Sequence, residues 1–264
     1  MTHHFPEELA QRYHTYVNTF RDASGGLPLL LQLKLDHTHH VVADARSIMS
    51  SEGWDAPACR MGEVCALLHD TARYSQCRDF GTFRDRDSFD HADAAVGIIE
   101  EQGWLAALAE EERRFILTAV RVHNKRDVPA ALAGLEADLA HLVRDADKLD
   151  IFRVLEEAVN DGSLFENPEI AWALPAKGTP NAEVVEAVSR GESVSYDTIH
   201  TLADFVLIQV GWLNGGLHFK AAARIALERK TLEFREALLK TFTDEHSGIE
   251  RCCGAARAFL ESRR

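Results

Sequence analysis

Apolar residues in this chain recur at intervals of three and four, and nowhere do they alternate with polar ones for long enough to make a confident strand. Each sizeable segment must then bury a stripe along a helix and not one face of a sheet, so the expected fold class is all-α. Between Leu29 and Glu52 the residues His37, Val41, Ala45 and Ile48 share one stripe, and Gly53 ends the run as a C′ glycine. A second helix is expected from about Pro57, through Val64, Leu67 and Leu68, to His69-Asp70 at its C-terminal end. Arg73 to Asp87 shows no helical period and reads as a loop long enough for a binding or lid role. Ser88 is the expected N-cap of the next helix, with His91 in the first turn ahead of Ala95, Ile98 and Ile99. A helix from about Glu110 turns Phe115, Ala119 and Val122 inward and delivers His123 near its end. Another, from about Gly134, carries Leu135, Leu139, Leu142, Val143, Ala146 and Leu149, with Asp147 beside the buried stripe. Asn160 to Ser195 reads as an irregular excursion, after which three or four helices follow from about Ile199, including Leu202 to Leu213 and Leu232 to Phe242.

A chain of 264 residues with 46% hydrophobic content can bury a large core without staples. Its formal charge of −13 opposes nucleic-acid backbones and anionic membrane surfaces, so neither a nucleic-acid duplex nor a membrane is an expected partner. The five cysteines are odd in number and form no C-x-x-C pair, which argues against a disulfide framework or a zinc knuckle and for a reducing compartment. Met1 to Pro6 lacks a basic segment followed by an apolar run, and no stretch reaches the roughly 18 apolar residues that span a bilayer. The expected location is cytoplasmic.

Histidine is the composition feature that asks for chemistry: there are 13, most of them in the first 150 residues. His37, His69, Asp70, His91, His123 and Asp147 fall on inward faces or at helix ends. Imidazole and carboxylate together suit divalent first-row metals such as Fe, Mn, Co, Ni or Zn, whereas an oxygen-only set would suit Mg or Ca. Four histidines and two aspartates are too many for one tetrahedral zinc and fit two metals sharing a carboxylate. His69 and Asp70 diverge inside a helix but can converge where the backbone leaves helical geometry, which makes Asp70 the candidate bridge. Two metals about 3.5 to 4 Å apart can hold a hydroxide at neutral pH and clamp phosphoryl oxygens, so hydrolysis of a phosphate ester or anhydride is the expected reaction.

The segments HTHHV (37–41), LLHDTAR (67–73), DHADAAVGI (90–98), AVRVHNK (119–125) and RDADKLDIF (144–152) resemble the HD-domain superfamily, and His91 and His123 resemble its dinuclear branch. The resemblance covers about residues 30–155. It implies a helical, metal-dependent phosphohydrolase with His37, His69, Asp70 and Asp147 around the first metal, and His91 and His123 with Asp70 around the second. It also selects Asp147, ahead of Asp145 or Asp150, as the ligand before Lys-Leu. The organisation expected is one HD-type domain over 1–264, with a metal-binding core at about 30–155 and a helical extension at about 196–264.

Many members of the superfamily carry Ile-Gly-Lys or Ile-Gly-Arg after HD; here Thr71-Ala72-Arg73 keeps the charge. Arg73, Lys125 and Lys148 are the cations placed to meet a small phosphorylated substrate, such as a nucleotide. Arg78, Phe80, Arg84 and Arg86 are candidates for selecting it. A mixed-valent diiron oxygenase of the same superfamily and a non-catalytic metal- or nucleotide-binding module are the competing readings. The remaining histidines, among them His39, His40 and His141, are assigned to surface or packing roles. Trp54, Trp104, Trp172 and Trp212 are assigned to the core, and Cys252-Cys253 to helix packing.

Overall fold

The computed structural model describes residues 5–264. Met1 to His4, and with them the assignment of His3 and His4 to surface or packing roles, lie outside the described residues. Among the described residues the fold is all-α, with no strand, and no helix is long and apolar enough to cross a membrane. The chain forms two compact units, one ending at Asp150 and one running from Ile151 to Arg264.

The first unit opens with α1 (Phe5–Asn18), whose Phe5, Leu9, Tyr13 and Val17 recur every fourth position and are all buried. α2 (Leu29–Glu52) follows and closes at Gly53, where φ is 72° and the backbone N–H groups of the turn return to Met49 and Ser50. That left-handed C′ position is the glycine's reason for being there. α3 (Ala56–Leu68) starts at Asp55, whose carboxylate accepts from Ala58 N at 2.9 Å, with Pro57 in the first turn. α3 packs against α1, α2 and α6 (Glu110–Val122), with α4 (Arg73–Phe80) and α5 (His91–Glu101) completing this side. Burial of Leu9, Tyr13, Leu68, Tyr74, Ile99, Trp104, Ile116 and Val120 makes one continuous core. α7 (Gly134–Asn160) buries Leu139, Leu142, Val143, Ala146 and Leu149 as its period predicts.

Three expectations are corrected. The segment Arg73 to Asp87 is not a loop: α4 occupies Arg73–Phe80, ends at Gly81 with φ 70°, and a 3-10 turn follows at Asp85–Asp87. Its buried residues are Tyr74 and Gln76. A polar Gln76, whose Nε2 donates to Asp85, Ser88 and Phe89, hides the helical period because the buried stripe is not apolar. Ser88 does not cap α5. Asp90 does, accepting from Ala92 N and Asp93 N, while the Ser88 hydroxyl donates to Arg84 O. Of the four tryptophans only Trp104 is fully buried; Trp54, Trp172 and Trp212 are half-buried.

The second unit, which starts at Ile151, contains the stretch expected to be irregular, Asn160 to Ser195. That stretch contains α8 (Pro168–Ala171) and α9 (Ala182–Ser189), the latter capped by Asn181 and burying Val184, Val185 and Val188. Two turns of valine give too few repeats for a period to stand out against the surrounding Gly and Pro. α10 (Leu202–Gly211), α11 (Lys220–Glu228), α12 (Thr231–Phe242) and α13 (Ser247–Ser262) complete the unit. α10 is buried along its whole length from Leu202 to Val210, packed by α9, α12 and α13. The buried Arg235 of α12 donates to Gln209 Oε1 at 3.0 Å and Phe152 O at 2.8 Å and pairs with Glu156. Cys252 and Cys253 are buried packing residues, as their pattern predicts.

Candidate metal centre

The four histidines are placed by two different local devices. His69 and His123 stand as the C-cap residues of α3 and α6. Each puts Nδ1 on a carbonyl three residues earlier in its own helix, Ala66 O at 2.8 Å and Val120 O at 2.7 Å. These are carbonyls that a helix end leaves without a backbone partner. His37, inside α2, and His91, first residue of α5, instead put Nδ1 on carboxylates: Asp150 at 2.6 Å and Asp85 at 2.6 Å. Since a carbonyl or an ionised carboxylate can only accept, Nδ1 carries the proton in all four rings. The Nε2 lone pairs are left facing inward.

Those lone pairs meet at close range. His37 Nε2 and His69 Nε2 are 3.3 Å apart, and His91 Nε2 and His123 Nε2 are 3.0 Å apart. Ring nitrogens brought this close, with Nδ1 engaged elsewhere on every ring, suit a cation between them. Ligand nitrogens bound at about 2.1 Å, at angles between a right angle and the tetrahedral one, stand about 3.0 to 3.4 Å apart. The donor set therefore fits a divalent metal at each pair.

Asp70 lies between the pairs. Its Oδ2 is 3.5 Å from His37 Nε2 and 3.6 Å from His69 Nε2, while its Oδ1 is 3.4 Å from His91 Nε2 and 3.7 Å from His123 Nε2. One carboxylate thus offers one oxygen to each pair. The turn that follows α3 carries both residues: Thr71 N returns to Leu68 O and Arg73 N to Asp70 O, three residues back and not four, while His69 keeps right-handed helical dihedrals. Asp147 Oδ1 joins the first pair, 3.2 Å from His37 Nε2 and 3.9 Å from His69 Nε2. His37, His69 and Asp70 form one buried group able to hold a metal, and Asp70, His91 and His123 form a second. A third grouping, Asp85, Asp90 and His91, involves the same ring through Nδ1, and Asp85 serves there as the acceptor that orients His91.

Charge reinforces the arrangement. Burial alone would raise the Asp70 carboxyl, but Lys34, His69 and Arg73 hold it well below the usual carboxylate range. Burial likewise opposes ionisation of Asp147, and His37 with His69 overcomes it. Burial pushes His69 down to about 4 and, with Arg73 adding to the effect, His91 down to about 3, so both rings are neutral at neutral pH. His37 goes the other way: burial and Lys34 push it down, but Asp147 and Asp150 outweigh them.

All six side chains picked out as ligands are thus brought together. Asp145 is buried elsewhere on α7, and Asp150 supports His37. Arg73 reaches Asp70 Oδ1 with Nε at 3.3 Å, and its Nη1 bonds Gln76, Phe83 O and Asp85. Lys125 pairs with Asp90 and Asp93 at the start of α5. Lys148 follows Asp147 on α7, where burial lowers its ammonium to about 8. Arg78, Arg84 and Arg86 pair with Asp79 and Asp87. The exposed His40 stands 3.6 Å from Asp150, the carboxylate that supports His37.

Sequence reasoning missed Lys34, Asp85 and the supporting role of Asp150. Lys34 lies three positions before His37 and Asp150 three after Asp147, spacings that share a helix face and were open to reading. Asp85 sits in a 3-10 turn with no period to betray it. No family model matches this chain, and neither the curated proteins nor the solved structures contain a match to it.

Proposed function

We propose that this protein is a metal-dependent phosphohydrolase of the HD type, with Asp70 bridging two divalent first-row metal ions such as Fe or Mn, and with a nucleotide or another small phosphate ester or anhydride as substrate. The observation that carries the reading is the division of Asp70: one oxygen toward His37 and His69, the other toward His91 and His123. The order of these residues along the chain, which resembles that superfamily, also supports it. A bound metal pair supplies Lewis acidity to phosphoryl oxygens and lowers the pKa of water. His37, His69, Asp70 and Asp147 would hold the first ion, and His91, His123 and Asp70 the second. Asp85 and Asp150 fix the tautomers of His91 and His37, and the carbonyls of Ala66 and Val120 fix those of His69 and His123. Arg73, at the lip of the site beside Asp70, carries positive charge for the phosphoryl oxygens.

The test is release of phosphate from mono-, di- and cyclic nucleotides by protein reconstituted with manganese or iron, assayed without oxygen, beside Asp70→Ala. Hydrolysis by the manganese form and none by Asp70→Ala is the expected result. Turnover that requires both iron and oxygen would replace hydrolysis with oxygenase chemistry. No turnover by folded, metal-loaded protein would overturn the catalytic reading.

A further inference from the structure

We infer that Lys34 is the anion-binding residue of this site, held on Asp70 in the metal-free protein and passed to the phosphoryl group of the substrate when Asp70 is engaged as a ligand. The inference rests on the phosphohydrolase reading above. Lys34 lies one turn before His37 on α2, and its Nζ is 2.7 Å from Asp70 Oδ2, the oxygen that faces His37 and His69. The Lys34 side chain keeps 15% of its exposure against 3% for Asp70, so the ammonium stands between the buried carboxylate and solvent.

Two further observations fit this role. The ring of Phe83 lies 5.4 Å from Lys34 Nζ and 5.9 Å from Arg73 Cζ, so one aromatic residue supports both cations that reach Asp70. A ring holds an ammonium through its quadrupole without using up N–H donors. The two cations are also unequally committed. Arg73 is tied to Gln76, Phe83 and Asp85, whereas among the described residues the side-chain hydrogen bond of Lys34 is the one to Asp70.

The consequence is electrostatic. With a divalent ion held at Asp70, that carboxylate would have less negative charge to offer, and Lys34 would meet a like charge at short range. Phe83 keeps the ammonium at the lip, where its three N–H groups become available to an incoming anion. Lys34 in this account neutralises the buried carboxylate before loading and recognises the substrate afterwards.

The test uses inorganic phosphate as the probe. Manganese-loaded wild type, Lys34→Met, Lys34→Gln and Lys34→Arg are compared for metal content by elemental analysis and for phosphate affinity by titration calorimetry. We expect the same metal content in every variant. Phosphate affinity should fall about ten-fold or more in Lys34→Met and Lys34→Gln, as loss of a hydrogen bond to a charged group implies, and by much less in Lys34→Arg. Metal-free Lys34→Met should also unfold at lower urea than the metal-free wild type, since Asp70 keeps only Arg73 of its two cations; Lys34→Gln, which keeps a donor, covers the case in which Lys34→Met does not fold. Unchanged phosphate affinity in the Met and Gln variants, with wild-type binding intact, would overturn the Lys34 assignment alone. So would loss of metal in parallel with phosphate. Absence of phosphate binding by the metal-loaded wild type would bring down the phosphohydrolase reading and this inference with it.

Discussion

His91 Nδ1 lies 2.6 Å from Asp85 Oδ2, and that contact leaves Nε2 as the ring nitrogen that faces Asp70 and His123. Asp85 is itself held by Arg73, Gln76 and Asn124. Carboxylates in this position raise the basicity of the imidazole and fix its orientation, and their loss typically costs about 10 to 100-fold in metal affinity. Asp85→Asn should therefore weaken the second metal ion by about that factor and leave the first near its wild-type affinity. Stepwise metal titration followed by calorimetry checks this, and equal weakening of both ions would count against the two-pair arrangement.

The metal-free protein should lose stability in acid. His69 and His91 have folded values pushed down to about 4 and 3, below the usual 6.5, so in that window the unfolded chain binds protons that the folded chain refuses. Their contribution is present above 6.5 and lost as pH falls towards 3, at about 1.4 kcal/mol per unit for each ring. His37, raised by Asp147 and Asp150, has the opposite sign: its contribution is full below 6.5 and fades as pH rises through its folded value. Two rings against one leave a net loss on acidification, and the depressed carboxyls of Asp70 and Asp147 add to it below about 4. Urea midpoints of chelator-treated protein at pH 7.5 and about pH 5 should fall in that order; a higher midpoint at the lower pH would contradict the sign.

Gly62 of α3 is a packing glycine. A Cβ at this position would stand 2.4 Å from Met49 Sδ and 2.6 Å from Leu142 Cδ2, both in buried side chains. Gly62→Ala should overpack this contact and destabilise by about 1 to 3 kcal/mol despite alanine's better helix propensity. Thermal unfolding reads the difference. A stabilised variant would show that the contact has room.

Arg235 should be the most sensitive single position in the second unit. Its side chain is fully buried and gives hydrogen bonds to Gln209, Phe152 O, Thr231 O and Glu156. Arg235→Ala strips these acceptors of their donor, and breaking a buried pair costs about 3 to 5 kcal/mol. A loss below about 1 kcal/mol in urea unfolding would mean that water replaces the guanidinium at little cost.

The sequence was most informative where helices are long and end in recognisable ways. α2, α3, α6 and α7 follow from apolar periods with Gly53, Pro57 and Gly134 at their boundaries, and with them the positions of His37, His69, His123 and Asp147. α1 carries an equally legible period in Phe5, Leu9, Tyr13 and Val17. α4 was not legible, because Gln76 puts a polar side chain on the buried stripe, and α9 was not, because eight residues hold too few repeats. Within the site the ligand types could be read but not what orients them. The Asp85–His91 contact depends on a 3-10 turn, and the Lys34–Asp70 pair joins positions 36 residues apart.

Metal content of the reconstituted protein tests the central claim most directly. The account predicts two ions per chain for the wild type, one for His91→Ala with His123→Ala, and loss of the pair for Asp70→Ala, all in folded protein. A wild type that takes up no more than one ion at saturating metal, or an Asp70→Ala variant that still holds two, would contradict it.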